Sequence, residues 1–187
     1  MRIFISGGCK NGKSYYAQHL AKAQHSGGAL YYIATMRPVD AEDKARIARH
    51  LAERAGMGFT TIEQPVGIEG LLGTCSADGS FLLDSLTALL MNEMFRADGS
   101  ANENAEEKTR TGLEKVMRGI RDIVIVSDYI YSDALMYDPL TEKYRRYLAG
   151  IDRAAVSFCD AVLEASYANL IVHKGGEEFG KLYEKIL

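Results

Sequence analysis

The chain contains no tryptophan, only three prolines and only three cysteines in 187 residues. Each shortage excludes something. Cys9, Cys75 and Cys159 are odd in number and widely scattered, so they form neither a disulfide framework nor a metal-ligand spacing. They read as reduced thiols. The few prolines leave no proline-rich linker or recognition tract. No apolar run approaches the roughly 18 residues of a membrane span, and none is expected. Basic residues hold no majority: 22 Lys and Arg face 25 Asp and Glu, a net charge of −3. That excludes the broad basic field that holds nucleic acid. An apolar strand-like run begins at residue 2, so no leader peptide is expected. The expectation is one cytoplasmic domain over 1–187, long enough to bury a sizeable core.

One stretch carries chemistry. Gly7-Gly8-Cys9-Lys10-Asn11-Gly12-Lys13-Ser14 matches the phosphate-loop pattern G-x-x-x-x-G-K-[ST]. The run Arg2–Ser6 before it reads as a strand, and Lys13–Ala23 after it as a helix. A strand, a Gly-rich turn and a helix start aim several backbone N–H groups at one point. That arrangement binds phosphate. Lys13 is expected to reach the β- and γ-phosphates, and Ser14 to ligate Mg²⁺. Cys9 reads as a small loop residue, with oxidation sensitivity as the alternative.

The remainder alternates between strand-like and helix-like segments. Strands are expected over 29–34, 59–62, 80–84, 123–127, 161–165 and 169–172. Helices are expected over 40–54 (capped by Asp40), 86–95, 105–121, 139–158 and 176–187, with a helical turn at 68–72 and a polar loop at 97–104. This predicts an α/β fold: a mostly parallel sheet with helices on both faces. Ligands then sit at the carboxyl ends of the strands. Two acids close apolar runs there, Asp84 after Phe81-Leu82-Leu83 and Asp128 after Val124-Ile125-Val126-Ser127. Each suits Mg²⁺, and each also suits a helix N-cap. Asp84 is favoured for the metal, because Ser85-Leu86-Thr87 opens a helix beside it.

On the 40–54 helix, Arg46, His50 and Arg54 share one face at i, i+4 and i+8. Read alone, this is a solvated basic face. The anion-chemistry reading holds phosphate oxygens with the arginines. It also keeps the imidazole neutral by like-charge repulsion, with a nitrogen free to act as nucleophile.

These residues resemble the bifunctional adenosylcobinamide kinase / adenosylcobinamide-phosphate guanylyltransferase family of cobalamin biosynthesis. The likeness rests on Ile5–Ser14, Tyr32-Ile33-Ala34-Thr35, Arg46–His50 with Arg54 and Thr61-Ile62-Glu63, and Leu83–Thr87 with Asn92 and Phe95. The resemblance implies a RecA-like P-loop NTPase fold and a homo-oligomer. It implies that His50 takes up GMP from GTP, and that Ala34, Thr35, Met36, Glu63 and Asp84 line the guanine nucleotide site. It implies ATP or GTP and a corrinoid as substrates, the kinase half phosphorylating a hydroxyl of the corrinoid's aminopropanol arm. The apolar helix 86–95 carries more apolar surface than one face needs, which fits an oligomer. The segment Ser127–Leu135 departs from the family's Asn-Glu-Val-Gly: Asp128 and Tyr129 replace the Asn and Glu, and the glycine is missing. The alternatives are a P-loop small-molecule kinase without a covalent step, and a nucleotide-binding protein that has lost catalysis.

Overall fold

Seven strands build one sheet in the computed structural model, which describes residues 1–95 and 100–186. They are β1 (Arg2–Gly7), β2 (Leu30–Ala34), β3 (Thr60–Glu63), β4 (Ser80–Asp84), β5 (Asp122–Val126), β6 (Ala161–Ser166) and β7 (Asn169–Lys174). Their order is β3-β2-β4-β5-β1-β6-β7, parallel except for the antiparallel β6–β7 pair at one edge. The helices are α1 (Lys13–Gln24), α2 (Ala41–Glu53), α3 (Leu71–Thr74), α4 (Leu86–Met94), α5 (Ala105–Gly119), α6 (Pro139–Phe158) and α7 (Gly176–Tyr183), with a 3₁₀ turn at Ile68–Gly70. Each expected element forms within a few residues of its expected bounds. The last helix ends at Tyr183, short of the expected 187. The loop reading at 97–104 lies partly outside the described residues.

The central strands are apolar at nearly every position because both faces are covered. Side-chain alternation sends Ile3, Ile5, Leu82, Val124 and Val126 to the face under α1 and α7. Phe4, Phe81, Leu83, Ile123 and Ile125 go to the other face, under α4, α5 and α6. Truncating a fully buried leucine such as Leu83 to alanine costs about 2–5 kcal/mol.

One helix, α4, differs from expectation in what it buries. α4 places Leu86, Leu89, Leu90 and Met94 in the chain's own core. Its apolar surplus is therefore used within the subunit and gives no support to an oligomer. α2 has no buried residue. Asp40 caps it by accepting from the Asp43 N–H at 2.8 Å, and the helix carries Arg46 and His50 beside the carboxyl edge of the sheet.

Candidate active site

Strand register sets the site. In the pairings β3–β2, β2–β4 and β4–β5, Glu63 lies beside Ala34, Ala34 beside Asp84, and Asp84 beside Val126. Residues far apart in sequence thus form one row at the carboxyl ends of the strands. Next to that row, β1 runs into the phosphate loop. Gly7 passes so close to β6 that a Cβ there would sit 2.4 Å from the Ala165 carbonyl oxygen. Gly12 caps α1 at φ 86°, a left-handed conformation that glycine adopts without strain.

The row and the loop border a cleft with two lobes. The first lobe, of about 780 Å³, is lined by the loop residues Cys9 to Ser14 together with α2. The second, of about 750 Å³, is lined by Tyr32, Ala34, Met36, Arg54, Glu63 and Asn92 among others. Arg46, His50, Asp84 and Asp128 line both lobes and so stand at their junction. The first lobe balances its charges: Lys10, Lys13, Arg46 and Arg49 face Glu42, Glu53, Asp84 and Asp128.

Lys13 is 6% exposed. Its Nζ donates to the Gly8 carbonyl at 2.6 Å and pairs with Asp128 Oδ1 at 2.9 Å. Ser14 Oγ lies 3.5 Å from Asp84 Oδ2, which also accepts from the Tyr32 hydroxyl at 2.9 Å. Burial, then the neighbouring Asp84 carboxylate, raises the Tyr32 pKa well above the usual tyrosine range. Tyr32 therefore stays a donor to Asp84. The N-cap alternative for Asp84 does not hold, because Ser85 caps α4 through the Ala88 N–H at 3.3 Å. It does not hold for Asp128 either, since the next helix, α6, is capped by Asp138.

Three site expectations are corrected. Thr35 is fully buried and stands behind the cavity wall. Its hydroxyl donates to the Ser85 carbonyl at 2.8 Å and accepts from the Ser85 N–H at 2.7 Å, tying the end of β2 to that of β4. Arg54 lines the second lobe with His50, but its guanidinium is engaged elsewhere: it stacks 3.8 Å over the Tyr32 ring and donates to Thr61 Oγ1 at 3.1 Å. His50 instead meets a carboxylate, with Nδ1 3.0 Å from Glu53 Oε2. A carboxylate accepts, so Nδ1 carries a proton, and the neutral ring would hold its lone pair on Nε2. The partner that orients the imidazole is therefore a carboxylate rather than a pair of cations.

Gly7, Gly8, Cys9, Lys10, Asn11 and Gly12 form the loop as the pattern requires, with Cys9 exposed and all three thiols free. Sequence reading missed the support behind Asp128. Asp152 is 3% exposed, and its Oδ2 accepts from Ser127 Oγ and the Tyr131 hydroxyl, each at 3.0 Å. Burial pushes its carboxyl up to about 7. The available signal was an acid on the buried stripe of α6, which otherwise presents Tyr144, Leu148, Ile151 and Ala155. The departing segment after β5 is also held down by Arg145, which donates to the Ile130 carbonyl at 2.9 Å and to Asp133 at 3.0 Å.

Among solved structures, a KaiC-like protein from Pyrococcus horikoshii OT3 matches with a TM-score of 0.51 at 12% identity, over 94% of this chain and 80% of that one. A second solved structure, an ATPase domain, also gives 0.51, at 11% identity over 94% and 77%. These likenesses are of fold alone, and the fold is that of RecA-like P-loop NTPases. The bifunctional adenosylcobalamin biosynthesis protein CobP of Pseudomonas aeruginosa is 34% identical over 166 residues, covering 87% of this chain and 91% of that protein. The CobU family profile, described as cobinamide kinase / cobinamide phosphate guanyltransferase, matches residues 3–167. That span takes in the phosphate loop, the His50 helix and both strand-end acids, and on it the chain belongs to the cobinamide kinase / cobinamide phosphate guanyltransferase family.

Proposed function

We propose that the two-lobed cleft serves both activities of this family: phosphoryl transfer to a cobinamide hydroxyl, and GMP transfer from GTP to the resulting cobinamide phosphate. The observation that carries the reading is the position of His50, at the junction of the phosphate-loop lobe and the second lobe. A nucleoside triphosphate with its terminal phosphates on the loop and its base in the second lobe passes that junction with its α-phosphate. His50 Nε2 attacks the α-phosphorus. The bond to the β-phosphate oxygen breaks, and pyrophosphate leaves with that electron pair. An oxygen of the corrinoid phosphate then displaces the histidine.

Lys13 and the loop N–H groups hold the departing phosphates and offset their charge. Glu53 holds the imidazole in one tautomer through both steps. In the second lobe, the Glu63 carboxylate suits guanine, whose N1–H and N2–H₂ groups donate. The corresponding edge of adenine offers an acceptor at N1, which favours GTP there.

Mg²⁺ fits the donor set as we read it. The first lobe is charge-balanced without a nucleotide, so a triphosphate leaves it in negative excess. Ser14 Oγ and the Asp84 carboxylate are hard oxygen donors beside the loop, and with nucleotide phosphates they would hold the ion. Bound there, Mg²⁺ supplies charge neutralisation on the phosphates. No helix among the described residues is long and apolar enough to cross a membrane. Free thiols and phosphorylated substrates support a cytoplasmic location. A homo-oligomer is supported by apolar side chains exposed on the loop before α6, Leu135 at 65% and Met136 at 98%.

Incubation with Mg²⁺, GTP and cobinamide tests the proposal. Chromatography should resolve cobinamide phosphate first and GDP-cobinamide second. Absence of both products would overturn it.

A further inference from the structure

We propose that Asp128 is the catalytic base of the phosphoryl-transfer half, accepting the proton of the cobinamide hydroxyl as that oxygen attacks the γ-phosphate. The inference rests on the kinase reading above. Asp128 Oδ1 lies 2.9 Å from Lys13 Nζ, the group that meets the terminal phosphates, so the carboxylate stands beside the phosphoryl group to be transferred. It lines both lobes of the cleft, as a base between donor and acceptor must.

The other acid of the junction, Asp84, is engaged: it faces Ser14 and takes the Tyr32 hydroxyl. Asp128 keeps Oδ2 without a protein hydrogen bond among the described residues.

Its backbone is also fixed. The Asp128 N–H donates to Thr87 Oγ1 at 2.9 Å, and the Ser127 hydroxyl before it is tied to buried Asp152. The Thr87 carbonyl in turn accepts from the Tyr144 hydroxyl at 2.9 Å. A strand end and two helices therefore hold this carboxylate in place, and such positioning is what a base for an in-line transfer requires. This segment departs from the family pattern, so the assignment concerns this chain alone.

In the step, the hydroxyl oxygen forms a bond to the γ-phosphorus. The bond from that phosphorus to the β–γ bridging oxygen breaks, and its electron pair leaves with the nucleoside diphosphate. The hydroxyl proton passes to Asp128 and then to water, which restores the carboxylate. The same carboxylate neutralises Lys13, and an arriving nucleotide competes with it for the ammonium.

The test compares wild type with Asp128→Asn, an isostere that keeps the backbone bond to Thr87. Phosphorylation of cobinamide by Mg²⁺–ATP or Mg²⁺–GTP is followed alongside nucleotide Kd by calorimetry. The proposal expects kcat for phosphorylation to fall about 10²–10⁴-fold while Kd holds or tightens, because Lys13 loses its competitor. A kcat within about fivefold of wild type overturns it. So does a Kd that weakens in step with activity, which would make Asp128 a ligand of the metal or nucleotide. If Asp128→Asn does not fold, Asp128→Ala decides by rescue: recovery of phosphorylation in added formate upholds the base, and no recovery rejects it. Wild type that phosphorylates nothing defeats the kinase reading itself, whereas active wild type with an equally active variant defeats the assignment of Asp128 alone.

Discussion

Asp152→Asn should gain stability relative to wild type as pH rises from about 4 to above neutral. Asp152 is buried on α6, with Ser127 and Tyr131 donating to Oδ2 and no partner for Oδ1 among the described residues. Burial is the main cause that raises its carboxyl from 3.8 to about 7; the two hydrogen bonds oppose that shift, and the nearby Asp128 carboxylate adds to it. Between those values the folded chain holds a proton that the unfolded chain has released. Stability is therefore fully present below 3.8 and is lost as pH rises through about 7. At about 1.4 kcal/mol per pH unit the loss reaches at most roughly 4 kcal/mol. Asparagine stays neutral, its carbonyl can accept both donors, and its amide replaces the unpartnered oxygen. In urea titrations the variant's margin over wild type should grow by roughly 2–3 kcal/mol between about pH 5 and about pH 8.5. Equal destabilisation at both pH values would refute the reasoning, since Asp152 would then be needed as a carboxylate.

Two other substitutions probe the loop lobe. Lys13→Ala removes charge-assisted hydrogen bonds worth about 1.5–3 kcal/mol and should weaken nucleotide Kd at least about tenfold by calorimetry, and unchanged affinity in a folded variant would contradict the phosphate-loop role. Asp84→Asn should lose Mg²⁺-dependent transfer yet melt within a few degrees of wild type, because Ser85 and not Asp84 caps α4. Full activity across a magnesium titration would remove Asp84 from the metal site.

The sequence made the fold legible because its signals are local. Apolar runs of strand length, the G-x-x-x-x-G-K-S turn and the N-caps at Asp40 and near Pro139 each depend on a few neighbouring residues. The site was legible where the chemistry is also local, as in the loop and the α2 face. It was not legible where pairing across the sheet decides. No spacing in the chain announces that Tyr32 donates to Asp84, 52 residues on, or that Lys13 meets Asp128. His50 shows a related limit. Helical periodicity put it between two arginines, but Arg54 stacks on Tyr32, and Glu53, three residues away on the same helix, is the hydrogen-bond partner. The family resemblance implies that Thr35 lines the nucleotide site, yet its hydroxyl is consumed in tying two strand ends together.

The central claim is that His50 forms a covalent bond to GMP. Wild-type protein incubated with Mg²⁺ and GTP, then digested and measured by mass spectrometry, should carry a GMP-sized addition on the peptide holding His50. The adduct should be labile in acid and stable in base, as a phosphoramidate is, and it should be absent in His50→Ala. An addition that persists in His50→Ala, or no addition in wild type under any nucleotide and divalent metal tried, would contradict the account.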